Sequence, residues 1–204
     1  AVILPLGADK IDIAPSRRQG LHLIYVGKLL NRNIHETVKG VGIFNKNNPN
    51  VEISYKIIGS GNKKTISKIQ KCIEEYELDE IVDLRGYVKH KLLYNHYCSS
   101  NVGVSYVPVN EYFEYQPVTK TYEYLMAGIP VMATNTFGNL SVVNSKNGII
   151  INDNPNSFKE GLEKIMAQLD FYNQEEIKHT VYGNEWVNVV KILENLIDNK
   201  FRSK

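Results

Sequence analysis

Residues 117–134 read PVTKTYEYLMAGIPVMAT. A run of helix-forming residues ends at Gly128, Pro130 follows, and a short apolar run closes the stretch. Gly at the end of a helical pattern and Pro soon after it mark a helix stop, and the apolar run beyond them has the length of a strand. At 100° per residue Val118, Tyr122, Leu125 and Met126 share one stripe, while Lys120, Glu123 and Ala127 fall on its flank or far side. Periodicity thus predicts a helix followed by a strand at 130–133, with Glu123 off the core face. Taken alone, Glu123 reads as a surface carboxylate beside Lys120, an i, i+3 pair worth about 0.2–0.5 kcal/mol.

The same alternation runs along the whole chain. Strands are expected at 21–26 (LHLIYV), 51–58, 81–84, 101–107, 130–133 and 148–151. Helices are expected between them at about 35–45, 63–76 and 89–98, and after them at 157–169 and 186–197. The inward residues of these helices are Val38, Val41 and Gly42, then Ile66, Ile69, Ile73 and Tyr76, then Leu92, Leu93 and Tyr97. Strands alternating with helices predict a parallel sheet covered on both faces: an α/β, Rossmann-like three-layer sandwich of about six strands with C-terminal helices. Ligands of such sheets lie beyond the carboxyl ends of the strands, where strand order reverses. Those ends carry Gly27-Lys28, Gly59-Ser60-Gly61, Gly86-Tyr87 and the loop 108–116.

Bulk properties narrow the classes of function. The chain has 204 residues, enough for a single domain with a sizeable core, and its formal charge of +2 is spread thinly apart from Arg17-Arg18 and Lys63-Lys64. Nucleic-acid binders carry clustered basic stripes, so no nucleic-acid partner is expected. The apolar runs fall far short of the ~20 residues of a membrane span. The two cysteines, Cys72 and Cys98, make no disulfide framework and have no partners at zinc-ligand spacing. They suit a reducing compartment. The five histidines are isolated, so no metal site is expected, and no G-x-S-x-G elbow or Cys-His pair suggests a hydrolase. The start, AVILPLGADK, lacks the features of a signal peptide.

Individual motifs are weak. Gly59-Ser60-Gly61 lies in a β-to-α turn, but the third glycine of a dinucleotide fingerprint is replaced by Lys64, which argues against NAD. Amides exposed at a helix N-terminus still suit a phosphate or ribose. Lys28 and Arg32 could clamp a diphosphate or be solvated loop cations. Of the thirteen tyrosines, Tyr106, Tyr112, Tyr115, Tyr122 and Tyr124 crowd the suspected site, as packing residues or as a stacking surface for a sugar or base.

Their order is more specific. Tyr25-Val-Gly-Lys-Leu29, Ile58-Gly-Ser-Gly61, Arg85-Gly-Tyr-Val88 and Glu123-Tyr-Leu-Met-Ala-Gly-Ile-Pro-Val131 occur in that sequence, with Asn147-Gly148 and Asn184-Glu-Trp186 behind them. This order resembles the carboxyl-terminal, donor-binding domain of group 1 (family 4) retaining glycosyltransferases, which have the GT-B fold of two Rossmann-like domains. The resemblance implies that 1–204 is one nucleotide-sugar-binding domain, with 1–16 as an interdomain linker segment and 172–204 as C-terminal helices. The amino-terminal acceptor domain would be absent from this chain.

By that resemblance Glu123 accepts the donor ribose hydroxyls, and Lys28 and Arg32 stabilise the departing diphosphate as catalytic residues. Gly27 and the Gly59-Ser60-Gly61 turn make room for the nucleotide, and the backbone around Tyr87 and Val88 meets the base. No cofactor and no metal ion is implied; the donor is a UDP- or GDP-sugar and the acceptor a glycan or a lipid-linked glycan. Two positions depart from the family pattern. Its second cation falls on Asn33, with Arg32 adjacent, and the first Glu of Glu-x7-Glu falls on Tyr115. Glu114 lies one position away, whereas Lys120 before Glu123-Tyr124-Leu125 resembles a subgroup with Lys ahead of an E-Y-L/M helix. The resemblance implies a hexosyltransferase of polysaccharide or surface-glycan synthesis. Its place would be cytoplasmic, with a peripheral position at the inner membrane face open to the full-length protein. The competing readings are a non-catalytic Rossmann-like binding or interaction domain and a nucleotide-sugar epimerase half-domain.

Overall fold

The computed structural model describes residues 4–13, 19–116 and 118–202. Pro117, Arg17-Arg18, and parts of the linker segment lie outside them. The strands are β1 (Leu21–Val26), β2 (Ile53–Ile58), β3 (Val82–Gly86), β4 (Val102–Ser105), β5 (Val131–Thr134) and β6 (Gly148–Ile151). They form one sheet in the order β3-β2-β1-β4-β5-β6, and every pairing is parallel. The expected α/β Rossmann-like sandwich is therefore present. Strand order reverses between β1 and β4.

Helices α1 (Ile34–Asn47), α2 (Lys63–Glu75) and α7 (Pro155–Gln168) cover one face, and α3 (Leu93–Cys98), α5 (Thr119–Met126) and α8 (Gln174–His179) the other. Two apolar clusters result, one on each side of the sheet. The first joins Leu21, Leu23 and Tyr25 to Val38, Val41, Ile69 and Phe158; the second joins Ile24 and Ile58 to Leu93, Tyr97, Tyr124 and Leu125. β1 feeds both, which is why its six residues read as a continuous apolar run apart from His22. His22 is buried but satisfied, with Nδ1 at 2.8 Å from Ser54 Oγ and Nε2 at 2.9 Å from the Gln19 carbonyl.

Several boundaries differ from expectation for identifiable reasons. The strand expected at 101–107 stops at Ser105, because Val107 gives its amide to Thr134 Oγ1 (3.1 Å) instead of to a strand. Leu92, expected to face inward, is 50% exposed because 90–92 forms a 3₁₀ turn that breaks the helical period before α3. The short helices α4 (Glu111–Glu114) and α6 (Phe137–Leu140), together with α8, do not follow from the sequence pattern. The last helix, α9 (Trp186–Arg202), stands largely off the sheet and leaves Trp186, Val190, Leu193 and Ile197 exposed along one side. Its first turn meets the chain start, where a side chain at Gly7 would strike the Trp186 indole. Among the described residues no helix is long and apolar enough to cross a membrane.

The ends of β1 and β2 are bound edge to edge beyond the sheet. The Gly27 amide donates to the Ile58 carbonyl and the Leu29 amide to the Ser60 carbonyl, each at 2.9 Å. A side chain at Gly59 would collide with the Gly27 carbonyl, so a neighbouring loop already demands this glycine before any ligand does. Gly59→Ala is expected to destabilise the fold by about 1–3 kcal/mol, the usual cost of forcing atoms into a packed site. The check is a lower urea midpoint at unchanged m-value.

Candidate functional site

The carboxyl ends of β1 and β4, where strand order reverses, enclose a cleft of about 310 Å³. Its walls include Gly27, Lys28 and Arg32 after β1, Val107 after β4, Gln116 before α5, Thr119, Lys120 and Glu123 on α5, and His90 and Leu93. A larger hollow of about 830 Å³ lies at the opposite ends of the strands, next to Gly20, Asn101 and Pro130. Its charged walls are Asp170 and Glu175, with no Lys or Arg among the described residues, so an anionic ligand is not drawn there.

Helix α5 places two charged groups in the cleft. It packs against β4, β5 and α8 and is covered on most sides, with Thr121, Tyr124, Leu125 and Met126 buried. Thr121 Oγ1 lies 2.6 Å from Ser105 Oγ and 3.0 Å from Asn139 Oδ1, and the Asn139 amide donates to the Thr134 carbonyl at 2.9 Å. These satisfied polar groups lock α5 to β4 and α6. Lys120 and Ala127, placed by periodicity on the flank or far side, are in fact buried. An eight-residue helix at the strand reversal has neighbours on nearly every side, so the single-stripe pattern does not apply to it.

Lys120 reaches into the cleft under Gly27. Its Nζ stands 4.0 Å from the centre of the Tyr25 ring, and a Cβ at Gly27 would come within 3.3 Å of that nitrogen. Gly27 has φ +150°, so the same residue supplies both the backbone bend and the space. Burial, aided by the Arg32 charge and opposed by Glu123, pushes the Lys120 ammonium down to about 7. Arg32 is half-buried with its guanidinium 4.1 Å from the Phe113 ring centre, a cation–π contact that orients it from the side. Lys28 is exposed, and its carbonyl accepts from the buried Tyr25 hydroxyl at 2.7 Å, which fixes the backbone from which its side chain projects. Among the described residues none of these three cations forms an ion pair.

Glu123 faces the same space with its side chain 26% exposed. Its Oε2 accepts the Tyr97 hydroxyl at 3.3 Å, and its Oε1 lies 4.0 Å from His90 Nε2. The expected Lys120–Glu123 surface pair is replaced by one buried ammonium and one carboxylate held by a tyrosine.

The structure thus brings Gly27, Lys28, Arg32, Lys120 and Glu123 to one cleft. Gly59, Ser60 and Gly61 back the β1 loop rather than line it: Leu29 Cβ comes within 3.2 Å of where a Gly61 side chain would begin. Tyr87 is 75% exposed beyond β3, and Val88 is half-buried against the second core cluster. Glu114 turns away, its Oε1 accepting the Phe137 amide at 3.1 Å at the start of α6. Glu114 is not among the residues lining the cleft, whereas Lys120 is. Tyr115, where the family pattern has its first Glu, is 74% exposed and packs against Phe137 with ring centres 5.3 Å apart. His90 lines the cleft, and Tyr97 and Tyr25 touch Glu123 and Lys120, although the sequence gives none of the three a role there. No local signal singles them out, because each meets its partner across a gap in sequence or from beneath the loop. Among the described residues there is no cluster of three His, Cys, Asp or Glu suited to a metal ion.

A doubly wound parallel sheet with a cationic cleft at its reversal defines a Rossmann-type domain suited to an anionic ligand. Residues 20–168 match the family model described as Glycosyl transferases group 1, and the chain belongs to that family. A search of curated proteins by sequence finds no match. Similar solved structures share the fold. The lipopolysaccharide outer core galactosyltransferase WaaB superposes with a TM-score of 0.78 at 18% identity, over 98% of this chain and 56% of that one. The sucrose-phosphate synthase of Thermosynechococcus elongatus gives 0.72 at 16% identity, over 98% and 53%. The pneumococcal O-GlcNAc transferase GtfA, in complex with UDP and GlcNAc, gives 0.72 at 16%, over 95% and 38%. The chain spans about half or less of the length of these structures.

Lys120 implies a pH dependence of stability. Its folded value of about 7 lies below the ordinary lysine value of 10.5, so between the two the unfolded chain binds more protons than the folded one. Stability therefore rises with pH across that window; the penalty is complete below it and absent above it. From about pH 6.5 to about pH 9.5 the urea midpoint is expected to climb more steeply for the wild type than for Lys120→Met. Equal slopes would show that the buried ammonium is not the source.

Proposed function

We propose that this chain is the donor-binding domain of a retaining glycosyltransferase that takes a hexosyl group from a UDP- or GDP-sugar. The observation that carries the reading is the convergence of Lys28, Arg32, Lys120 and Glu123 on one cleft at the strand reversal. Three cations without carboxylate partners among the described residues suit a diphosphate. One carboxylate among them suits the hydroxyls of a ribose, whose protons it accepts in bidentate fashion. GtfA and Anabaena HepE have each been solved in complex with UDP, which supports the same ligand class here.

In the transfer the bond from the anomeric carbon to the diphosphate oxygen breaks and its electron pair leaves with the phosphate. The acceptor hydroxyl oxygen bonds to that carbon on the same face, and its proton passes to the departing phosphate oxygen. Lys28 and Arg32 meet the charge that grows on the diphosphate, a contribution that strengthens in the transition state. The cleft supplies this counter-charge from side chains and loop amides, with no metal ion invoked. The acceptor, a glycan or lipid-linked glycan of polysaccharide or surface-glycan synthesis, binds an amino-terminal domain preceding Ala1.

Isothermal titration of this chain with UDP, GDP and ADP is expected to show weak binding of at least one. Glu123→Ala and Lys28→Ala should each weaken it by about tenfold, a loss of about 1.4 kcal/mol. Absence of binding by every nucleotide would favour a non-catalytic interaction domain. With the full-length protein, an epimerised nucleotide sugar in place of a transferred sugar would overturn the transferase reading.

A further inference from the structure

Glu123 is the one carboxylate lining the cleft among the described residues, and its two oxygens are not equivalent. Oε2 takes a hydroxyl from the protein, that of Tyr97 at 3.3 Å. Oε1 looks outward, toward a His90 that is 71% exposed and 4.0 Å away. Tyr97 is itself immobilised: it is 2% exposed, on α3, and its ring meets that of Tyr124 edge to face at 6.0 Å and 83°. Tyr124 is in turn anchored to the sheet, its hydroxyl accepting the Val26 amide at 2.8 Å. A rigid phenol thus runs from beneath the sheet edge up to one oxygen of the ligand-facing carboxylate.

A free glutamate samples many rotamers, and a ligand that needs one of them must supply the lost entropy. A carboxylate already held through one oxygen has lost most of that freedom, yet keeps both lone pairs on Oε1 and one on Oε2. Burial and the neighbouring carboxylate both push the Tyr97 phenol upward, so it remains a donor throughout the working pH range.

We infer that Tyr97 is the positioning residue of Glu123, fixing the plane of its carboxylate so that the cleft selects a ligand with adjacent hydroxyls, a ribonucleotide over its deoxy form. The inference rests on the ribose-binding reading of Glu123. Tyr97 touches no ligand itself. Its effect passes wholly through Glu123, and it is therefore absent when Glu123 is absent.

The test is a double-mutant cycle read by titration calorimetry, with UDP and GDP each beside its 2′-deoxy form. Tyr97→Phe removes a single oxygen and keeps the ring against Tyr124; its urea midpoint confirms that the fold is retained. Tyr97→Phe should weaken the ribonucleotide about three- to tenfold while changing the 2′-deoxy form little, and should add nothing to Glu123→Ala. A loss shared equally by both nucleotides and additive with Glu123→Ala would assign Tyr97 a general structural role and overturn the inference. A weakened Glu123→Ala beside an unchanged Tyr97→Phe overturns it alone. A Glu123→Ala that binds like the wild type overturns the ribose reading, and this inference with it.

Discussion

The hydrogen bond from the Val26 amide to the Tyr124 hydroxyl joins the two halves of the site. Where strand order reverses, neighbouring connections diverge, and the last amides of β1 lose their partners on the β4 side; β4 pairs with β1 only through Leu23 and Ile24. A buried amide without a partner is costly, and a tyrosine from the next helix supplies one. That contact fixes α5 against the end of β1, so Lys120 and Glu123 on one element face Gly27 and Lys28 on the other. The cleft follows from how the sheet satisfies its backbone at the reversal.

Tyrosines recur in this role. Tyr25 donates to the Lys28 carbonyl, Tyr124 accepts from Val26, and Tyr97 donates to Glu123. Each ring is buried in the apolar core while its hydroxyl bonds a residue at the cleft or beside it, as suits a side chain with an apolar body and a polar tip. The core and the site are thereby one structure. Packing on both faces of the sheet thus holds the groups at the strand ends in fixed positions.

The legible part of the fold is the part governed by local periodicity. The six strands, the long helices α1, α2, α7 and α9, and the glycine-marked strand ends follow from residue order, and the family follows from the order of the motifs. Lys28, Arg32 and Glu123 do meet in one cleft, yet periodicity alone makes Glu123 a surface carboxylate, and it is the order of the motifs that points to the three together. Helices α4, α6 and α8 have four to six residues, too few for a 3.6-residue period to register. Burial of Lys120 cannot be read from a helical wheel, because a wheel assumes one covered face and α5 is covered on most of them. The contacts of Tyr97 and His90 with Glu123 span about thirty residues, and only the topology that stacks α3 beside α5 brings them together.

Lys120 also shows what burial at the strand reversal costs. An ammonium buried without an ion-pair partner costs free energy that a better packed apolar residue would not. The Tyr25 ring face returns a part of it, and Glu123 a further part at longer range. Arg32 works in the opposite direction, adding like charge to the same space. The residue persists in a site that the rest of the structure makes expensive for it, and an anion entering the cleft would remove the expense by offering both Lys120 and Arg32 a counter-charge. Without a paired carboxylate the ammonium stays uncompensated where it is buried, and its value falls to about 7 in consequence.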